Sequence, residues 1–419
     1  MGLLILALLT AVHWYVWRRL VRDVTAPHGP ARRAGTVAVI VLPLLSVGAF
    51  GATQAGAPFL LQRVLAWPGY LWVALLLYVT LALLVGEAVR PLLLRAGWER
   101  RERARPVVEP AADTTATLPG AAGKPVKDPT DEPAREPAPG PPAVDPSRRL
   151  FVSRVVGGAA AAAAVGVVGH GTWSVLGGPT VKRVTVPLTK LPRSAHGYRI
   201  AVVSDIHLGP ILGRAHTQRI VDTVNATQPD LVTVVGDLVD GSVADLGNAA
   251  DPLARLRSQD GSYFVTGNHE YYSGVEAWVE RVHDMGVRPL RNAGLAVGGF
   301  HLAGVNDISG EDHDDAPDYG RALGSRDPSL ASVLLAHQPV MIHEAVEHGV
   351  DLQLSGHTHG GQLWPATLVA GLSNPTVAGL ERYGHTQLYV SRGAGAWGPP
   401  VRVGAPADIT VVELASRQA

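Results

Sequence analysis

The feature that most constrains this chain is the run "PGYLWVALLLYVTLALLVGEAV", Pro68 to Val89. An apolar segment of that length either forms a buried core helix or crosses a bilayer, which takes about 20 residues. Three further runs share its character: Met1–Trp17, which is short for a crossing, Thr36–Gly56, and the Ala/Gly-rich Val155–Leu176. A core helix is a reasonable home for one such segment but not for several in succession. The first half therefore reads as an α-helical transmembrane region. Arginine placement sets its direction. Arg18, Arg19, Arg22, Arg32 and Arg33 separate the first two runs, and Arg90, Arg95, Arg100, Arg101, Arg103 and Arg105 follow the third. Arg148, Arg149 and Arg154 precede the fourth, whereas the second and third are joined by a segment holding only Arg63. Basic loops stay in the cytoplasm. The N-terminus then faces outward, and everything beyond about Val181 is extracytoplasmic in a multi-pass cell-membrane protein.

Four regions follow: residues 1–100 with about three membrane helices, a linker at 101–147, a basic motif with a fourth helix at 148–177, and a domain at 181–419. The linker is dominated by Pro, Ala and charged residues, lacks aromatics and periodicity, and is expected to be disordered. "SRRLFVS", Ser147 to Ser153, is similar to a twin-arginine export signal and raises that export machinery as a partner. Its internal position suits plain inside-facing anchors equally well.

Beyond Val181 short β-branched runs alternate with helical spacing. "YRIAVVSD", "DLVTVVGD", "SYFVTGN", "SVLLAH" and "DLQLSGH" each read as a buried strand entering a polar loop. "AHTQRIVDTVNAT" and "GVEAWVERVHDMG" read as helices, and "QLYVSRG" and "ADITVVEL" as late strands. The pattern is α/β. Its polar residues fall at the carboxyl ends of successive strands, where such sheets place their sites. Acidic and basic residues balance at 36 each, so no basic excess calls for nucleic acid. The absence of cysteine excludes thiolate metal sites and leaves His, Asp, Glu and Asn as ligands.

Those strand ends carry Asp205 and His207 (D-x-H), Asp237 and Asp240 (G-D-x-x-D), Asn268, His269 and Glu270 (G-N-H-E), His337, and then His357 and His359 (G-H-T-H). Each piece alone has a bland reading: Asp205 and Asp237 as turn caps, Asn268 as a left-handed residue, His337 as a core histidine. Convergence of oxygen and nitrogen ligands at five strand ends has none, and such a set suits Mn, Zn or Fe. In this order the set resembles the calcineurin-like metallophosphoesterases, over Tyr198 to Leu414. "LSGHTHGGQ" and "YVSRGAGAWGPPVRVGAPADITVVEL" are most similar to the membrane-attached bacterial, YkuE/YaeI-like branch.

The resemblance implies a two-sheet mixed β-sandwich flanked by helices and two divalent metal ions per domain. It implies that Asp237 bridges the ions, with Asp205, His207 and His359 completing one shell and Asn268, His337 and His357 the other. A hydroxide shared by the ions would attack a phosphate ester in line. His269 would be the general acid, oriented by Asp240, and Glu270 would be structural. Gly356, Gly360 and Gly361 would let the chain turn tightly around the ions. The acidic "EDHDDAPD" reads as a solvated loop, Arg214 as a surface charge, and Trp364 and Trp397 as packing or membrane-facing groups. The expectation is a membrane-anchored phosphoesterase acting on a monoester, diester or pyrophosphate, with envelope lipids or cell-wall components among its candidate substrates. The alternative is a receptor-like protein whose outer domain binds a phosphorylated ligand without turnover. A transporter is disfavoured, because the apolar runs hold one acidic residue, Glu87 near an end, plus His13 and His170, little to line a pathway.

Overall fold

The computed structural model describes residues 2–103 and 146–418. The expected linker falls mainly outside the described residues. Helices α1 (Gly2–Trp17), α2 (Pro30–Gln54), α3 (Phe59–Arg103) and α4 (Pro146–Gly177) precede a sandwich joined to α4 by a two-residue link. Among the described residues four helical stretches are long and apolar enough to cross a membrane: Gly2–Arg22, Pro30–Gln54, Phe59–Pro91 and Arg149–Gly177. The first reaches that length because a π-turn, Arg18–Arg22, extends α1. α3 starts at Phe59 rather than Pro68, with that proline inside the helix, and the Ser46 hydroxyl of α2 donates to the Gly69 carbonyl at 2.7 Å, tying the two helices together. α4 starts at Pro146, a residue suited to a first helical position, so Arg148 and Arg149 lie within the helix. Glu87, the lone acid of the spans, meets Arg19 at 2.8 Å and Arg90 at 3.7 Å.

The remainder is two six-stranded mixed sheets. The strands are β1 (Thr180–Leu188), β2 (Tyr198–Val203), β3 (Leu231–Val235), β4 (Ser262–Val265), β5 (Val287–Pro289), β6 (Ala293–Val297), β7 (Phe300–Gly304), β8 (Ser332–Leu335), β9 (Leu352–Ser355), β10 (Gly379–Tyr383), β11 (Thr386–Val390) and β12 (Asp408–Ser416). One sheet runs β1-β12-β2-β3-β4-β5 and the other β10-β11-β9-β8-β7-β6. Helices α5 (Arg214–Ala226), α6 (Val243–Ala250), α7 (Asn268–Ser273) and α8 (Val275–Asp284) follow the strands of the first sheet; α9 (Tyr319–Leu323), α10 (Ile342–Glu347) and α11 (Ala366–Ser373) belong to the second.

Alternate residues of one strand serve different layers. Ile200 and Val202 meet Phe300, Leu302, Val333 and Leu354 between the sheets. Ala201 and Val203 turn outward onto Ile220 and Val224 of α5. Leu334 and Leu388 on the second sheet's outer face pack on α9 and α10 through Ala322 and Ile342. Burial on both faces explains why these strands read as continuous apolar runs. β1 escaped the sequence reading: it is half exposed, interrupted by Lys182 and Arg183, and held by parallel pairing with β12 from Thr180↔Asp408 to Leu188↔Ser416. That pairing ties the start of the domain, next to α4, to its last strand.

His216 on α5 is almost fully buried, and burial, with help from Arg219, depresses its pKa from 6.5 to about 4. The unfolded chain therefore binds the proton first, and stability present above pH 6.5 is lost as pH falls towards 4. Thermal unfolding of the detergent-solubilised chain should show this acid loss, on the order of 3 kcal/mol. His216→Leu should flatten that part of the profile.

Candidate metal centre

The strand-end loops bend sharply where the ligand-type residues lie. Among the described residues ten non-glycine residues have positive φ, and five of them are Asp205, His207, Asp237, His357 and His359. Left-handed backbone is uncommon for such residues and persists where the surroundings enforce it. Here it turns five side chains into one focus. Gly236 shows how little room remains: its φ is +73°, and a Cβ there would stand 2.5 Å from His337 Nδ1.

Two sets of donor atoms converge, Asp205–His207–His359 and Asp237–His337–His357, the atoms of each lying within 4.8 Å of one another. Asp237 Oδ2 is 3.1 Å from His337 Nε2 and 3.6 Å from His207 Nε2, which puts its carboxylate between the sets. His207 Nε2 lies 3.0 Å from His359 Nε2, and His359 Nε2 lies 3.5 Å from Asp205 Oδ1. Asn268 Oδ1 is 3.1 Å from His357 Nδ1. All seven ligand-type residues expected from the sequence are thus brought together.

The surrounding groups hold each ring and carboxylate in place. The His357 amide donates to both Asp205 oxygens at 2.9 and 3.1 Å, and Ser204 Oγ donates to Oδ2. The His269 amide donates to Asp237 Oδ1 at 3.0 Å. His337 Nδ1 is 2.8 Å from the Val235 carbonyl. Glu270 accepts from the backbone amides of Asp237, Leu238 and Gly267 at 2.9, 2.7 and 2.6 Å, pinning both loops beneath the site. Burial and then the Asp237 charge push its carboxyl up to about 7.

The donor chemistry fits a cation. His337 Nε2 is fully buried and has no hydrogen-bond partner among the described residues, although Asp237 is near. His207 Nε2 and His359 Nε2 meet at 3.0 Å, an N–H···N contact in which a proton on one ring takes the place an ion would fill. Burial opposes charge on Asp237, but His337, His207 and His269 hold its carboxyl well below the usual range. Burial likewise opposes charge on His207, and Asp240, Asp237 and Asp205 reverse it, lifting the ring to about 9. Burial pushes His359 down, with His207 and Arg402 adding to the effect. This is the electrostatics of a cation site answered by protons.

His269 joins His207 and Asp237 in a third possible grouping of donors. Its Nδ1 is 2.7 Å from Asp240 Oδ1, the atom that also meets His207 Nδ1 at 2.8 Å. Burial raises the Asp240 pKa, but His207 and His269 overcome it and lower it to about 2, so the carboxylate stays ionised.

Two contributions had no sequence signal. Arg402 is buried behind His359: Nη1 donates to the His359 and Ala405 carbonyls at 3.1 Å each, and Nη2 to His359 Nδ1 at 3.1 Å. An ion on His359 Nε2 requires the proton on Nδ1, so that last contact has to open on loading. The second is a wall. A cavity of about 860 Å³ opens over His207, Asp237, Asn268, His269, His357 and His359, and α2 and α3 close one side of it with Phe50, Thr53, Gln62 and Tyr70. Trp397 lines it too, its ring 5.9 Å from that of His269.

A sequence profile of the calcineurin-like phosphoesterases matches residues 198–361. An uncharacterised metallophosphoesterase of Helicobacter pylori strain J99 is 37% identical over 272 residues, 64% of this chain and 73% of that protein. The chain belongs to the calcineurin-like metallophosphoesterase family. A zebrafish protein named as a transmembrane protein with a metallophosphoesterase domain is 42% identical over 252 residues, 56% of this chain but only 57% of its own length. YkuE of Bacillus subtilis, an uncharacterised metallophosphoesterase, is 29% identical over 284 residues, 64% of this chain and 98% of that protein. The metallophosphoesterase fold and the membrane association expected from the sequence both hold.

The other candidates take structural places. Asp315 of the acidic loop accepts from the Tyr271 hydroxyl at 2.9 Å. Arg214 pairs with Asp251 at 2.6 Å on the surface. Asp307 is buried behind the second donor set and accepts from Gln338 at 2.9 Å. Glu270→Ala would strand three buried amides and should cost about 3 kcal/mol or more, read as a lowered unfolding midpoint together with weaker metal retention on gel filtration.

Proposed function

We propose that the chain is a membrane-anchored, dinuclear metal-dependent phosphoesterase. The observation that carries this is the convergence of seven oxygen and nitrogen donors about the Asp237 carboxylate, with His337 Nε2 buried and, among the described residues, facing only that carboxylate at 3.1 Å. Asp205, His207, Asp237 and His359 would hold one divalent ion, and Asp237, Asn268, His337 and His357 the other; Mn, Zn and Fe all suit the set. When bound, the ions supply Lewis acidity and a nucleophilic water for in-line attack on phosphorus.

The remaining work belongs to the chain. His269 is tied through Nδ1 to ionised Asp240, which leaves Nε2 to hand a proton to the leaving-group oxygen. Asp240 serves His207 and His269 with one oxygen and so couples the position of the acid to that of a ligand. The cavity over these groups admits a monoester, a diester or a pyrophosphate. Its side wall comes from α2 and α3, and this favours a substrate of the envelope, lipid-linked or polymeric, over a freely soluble one. The arginine-rich ends of the spans support a domain outside the cytoplasm.

Purified full-length protein, loaded with Mn²⁺, should hydrolyse p-nitrophenyl phosphate or its bis-ester, and chelation followed by metal add-back should abolish and restore turnover. Failure with every divalent metal in a folded sample would sink the enzymatic reading. His269→Asn should keep its metal content by elemental analysis while kcat falls roughly 10²-fold. Unchanged turnover in that variant would remove His269 from the mechanism, and unchanged cellular function without turnover would favour the ligand-binding alternative.

A further inference from the structure

α11 is an anomaly in a domain whose helices otherwise bury one face. None of its residues is buried. Leu368, Val369 and Leu372 lie 72%, 66% and 86% exposed, at the i, i+1 and i+4 spacing that puts them on one side of a helix. From Leu363 to Gly379 the chain carries no charged residue. Solvated helices of a soluble domain are not built this way, and an exposed apolar face next to helices long and apolar enough to span a bilayer calls for an apolar neighbour.

Its position identifies that neighbour. Trp364, just before α11, accepts through its carbonyl from the Tyr78 hydroxyl of α3 at 3.0 Å. Its amide donates to the Val403 carbonyl at 2.9 Å, and the neighbouring Arg402 amide donates to the Gly171 carbonyl of α4 at 3.3 Å. Leu363, Val401 and Val403 share one apolar cluster with Val16, Ala74, Tyr78 and Val168, residues of three spans. The segment leading into α11 is therefore seated against the spans. Trp364 is 55% exposed there and Trp173 of α4 is 72% exposed, the kind of aromatic pair found at the edge of a bilayer.

We infer that α11 lies in the bilayer surface, with Leu368, Val369 and Leu372 among the acyl chains of the leaflet at that end of the spans. This rests on membrane association and not on hydrolysis. It gives the domain a second attachment, independent of α4, on a helix that touches the metal loop: Thr367 Oγ1 donates to the Gly360 carbonyl at 3.0 Å, next to His359. The leaflet then bears on the position of the "GHTHGG" turn.

The absence of cysteine makes the test direct. Leu372→Cys and, separately, Leu368→Cys are labelled with an environment-sensitive fluorophore in the full-length protein in nanodiscs; Gln259→Cys, on the exposed loop before β4, serves as reference. The expected result is a blue-shifted emission at both α11 positions, loss of intensity with brominated phospholipids, and protection from aqueous iodide, with none of these at position 259. Iodide quenching equal to the reference would overturn the inference. So would iodide protection without bromolipid quenching, because that would put a protein surface, such as a second copy, over α11.

Discussion

The site hangs on one buried carboxylate. Asp237 sits between two sets of imidazoles, is held at Oδ1 by the His269 amide, and has its own amide held by Glu270. A buried carboxylate is costly unless charge and hydrogen bonds answer it. His207 and His337 answer it with positive character, and ions would answer it in the loaded enzyme. That demand orders the neighbourhood: the left-handed turns, the glycines that admit the rings, and Glu270 beneath the loops all bring donors to this atom group.

Around that centre the architecture is a rigid frame with loops at one end. The sandwich core is shared by both sheets, so the carboxyl ends of β2, β3, β4, β8 and β9 are fixed relative to one another. Each contributes ligand-type residues in the turn that follows it. Short loops on fixed strand ends hold their geometry before any ion arrives, which is the condition for tight metal binding.

The membrane helices contribute more than attachment. The α2–α3 hairpin forms one wall of the cavity through Phe50, Thr53, Gln62 and Tyr70, and the loop around Val401 packs into the cluster formed by the spans. The ligand-type loops and the apolar helices share elements, with Arg402 linking the span-packed loop to His359. Arg402 lies in the loop between β11 and β12, and its place behind His359 shows only when that loop packs against the end of β2.

The sequence alone determined the membrane character of the first half, the α/β order of the second, and every residue of the ligand-type set, because hydropathy runs and residues at strand ends are local features. It also favoured a structural place for Glu270, whose carboxylate accepts from three backbone amides. It did not show β1, whose place in the sheet comes from pairing with β12 at the far end of the chain. It gave no sign that Phe50, Gln62 and Tyr70 face His269, or that Arg402 backs His359. Those facts come from contacts between segments tens to hundreds of residues apart, and no local pattern encodes a neighbour that only packing brings near.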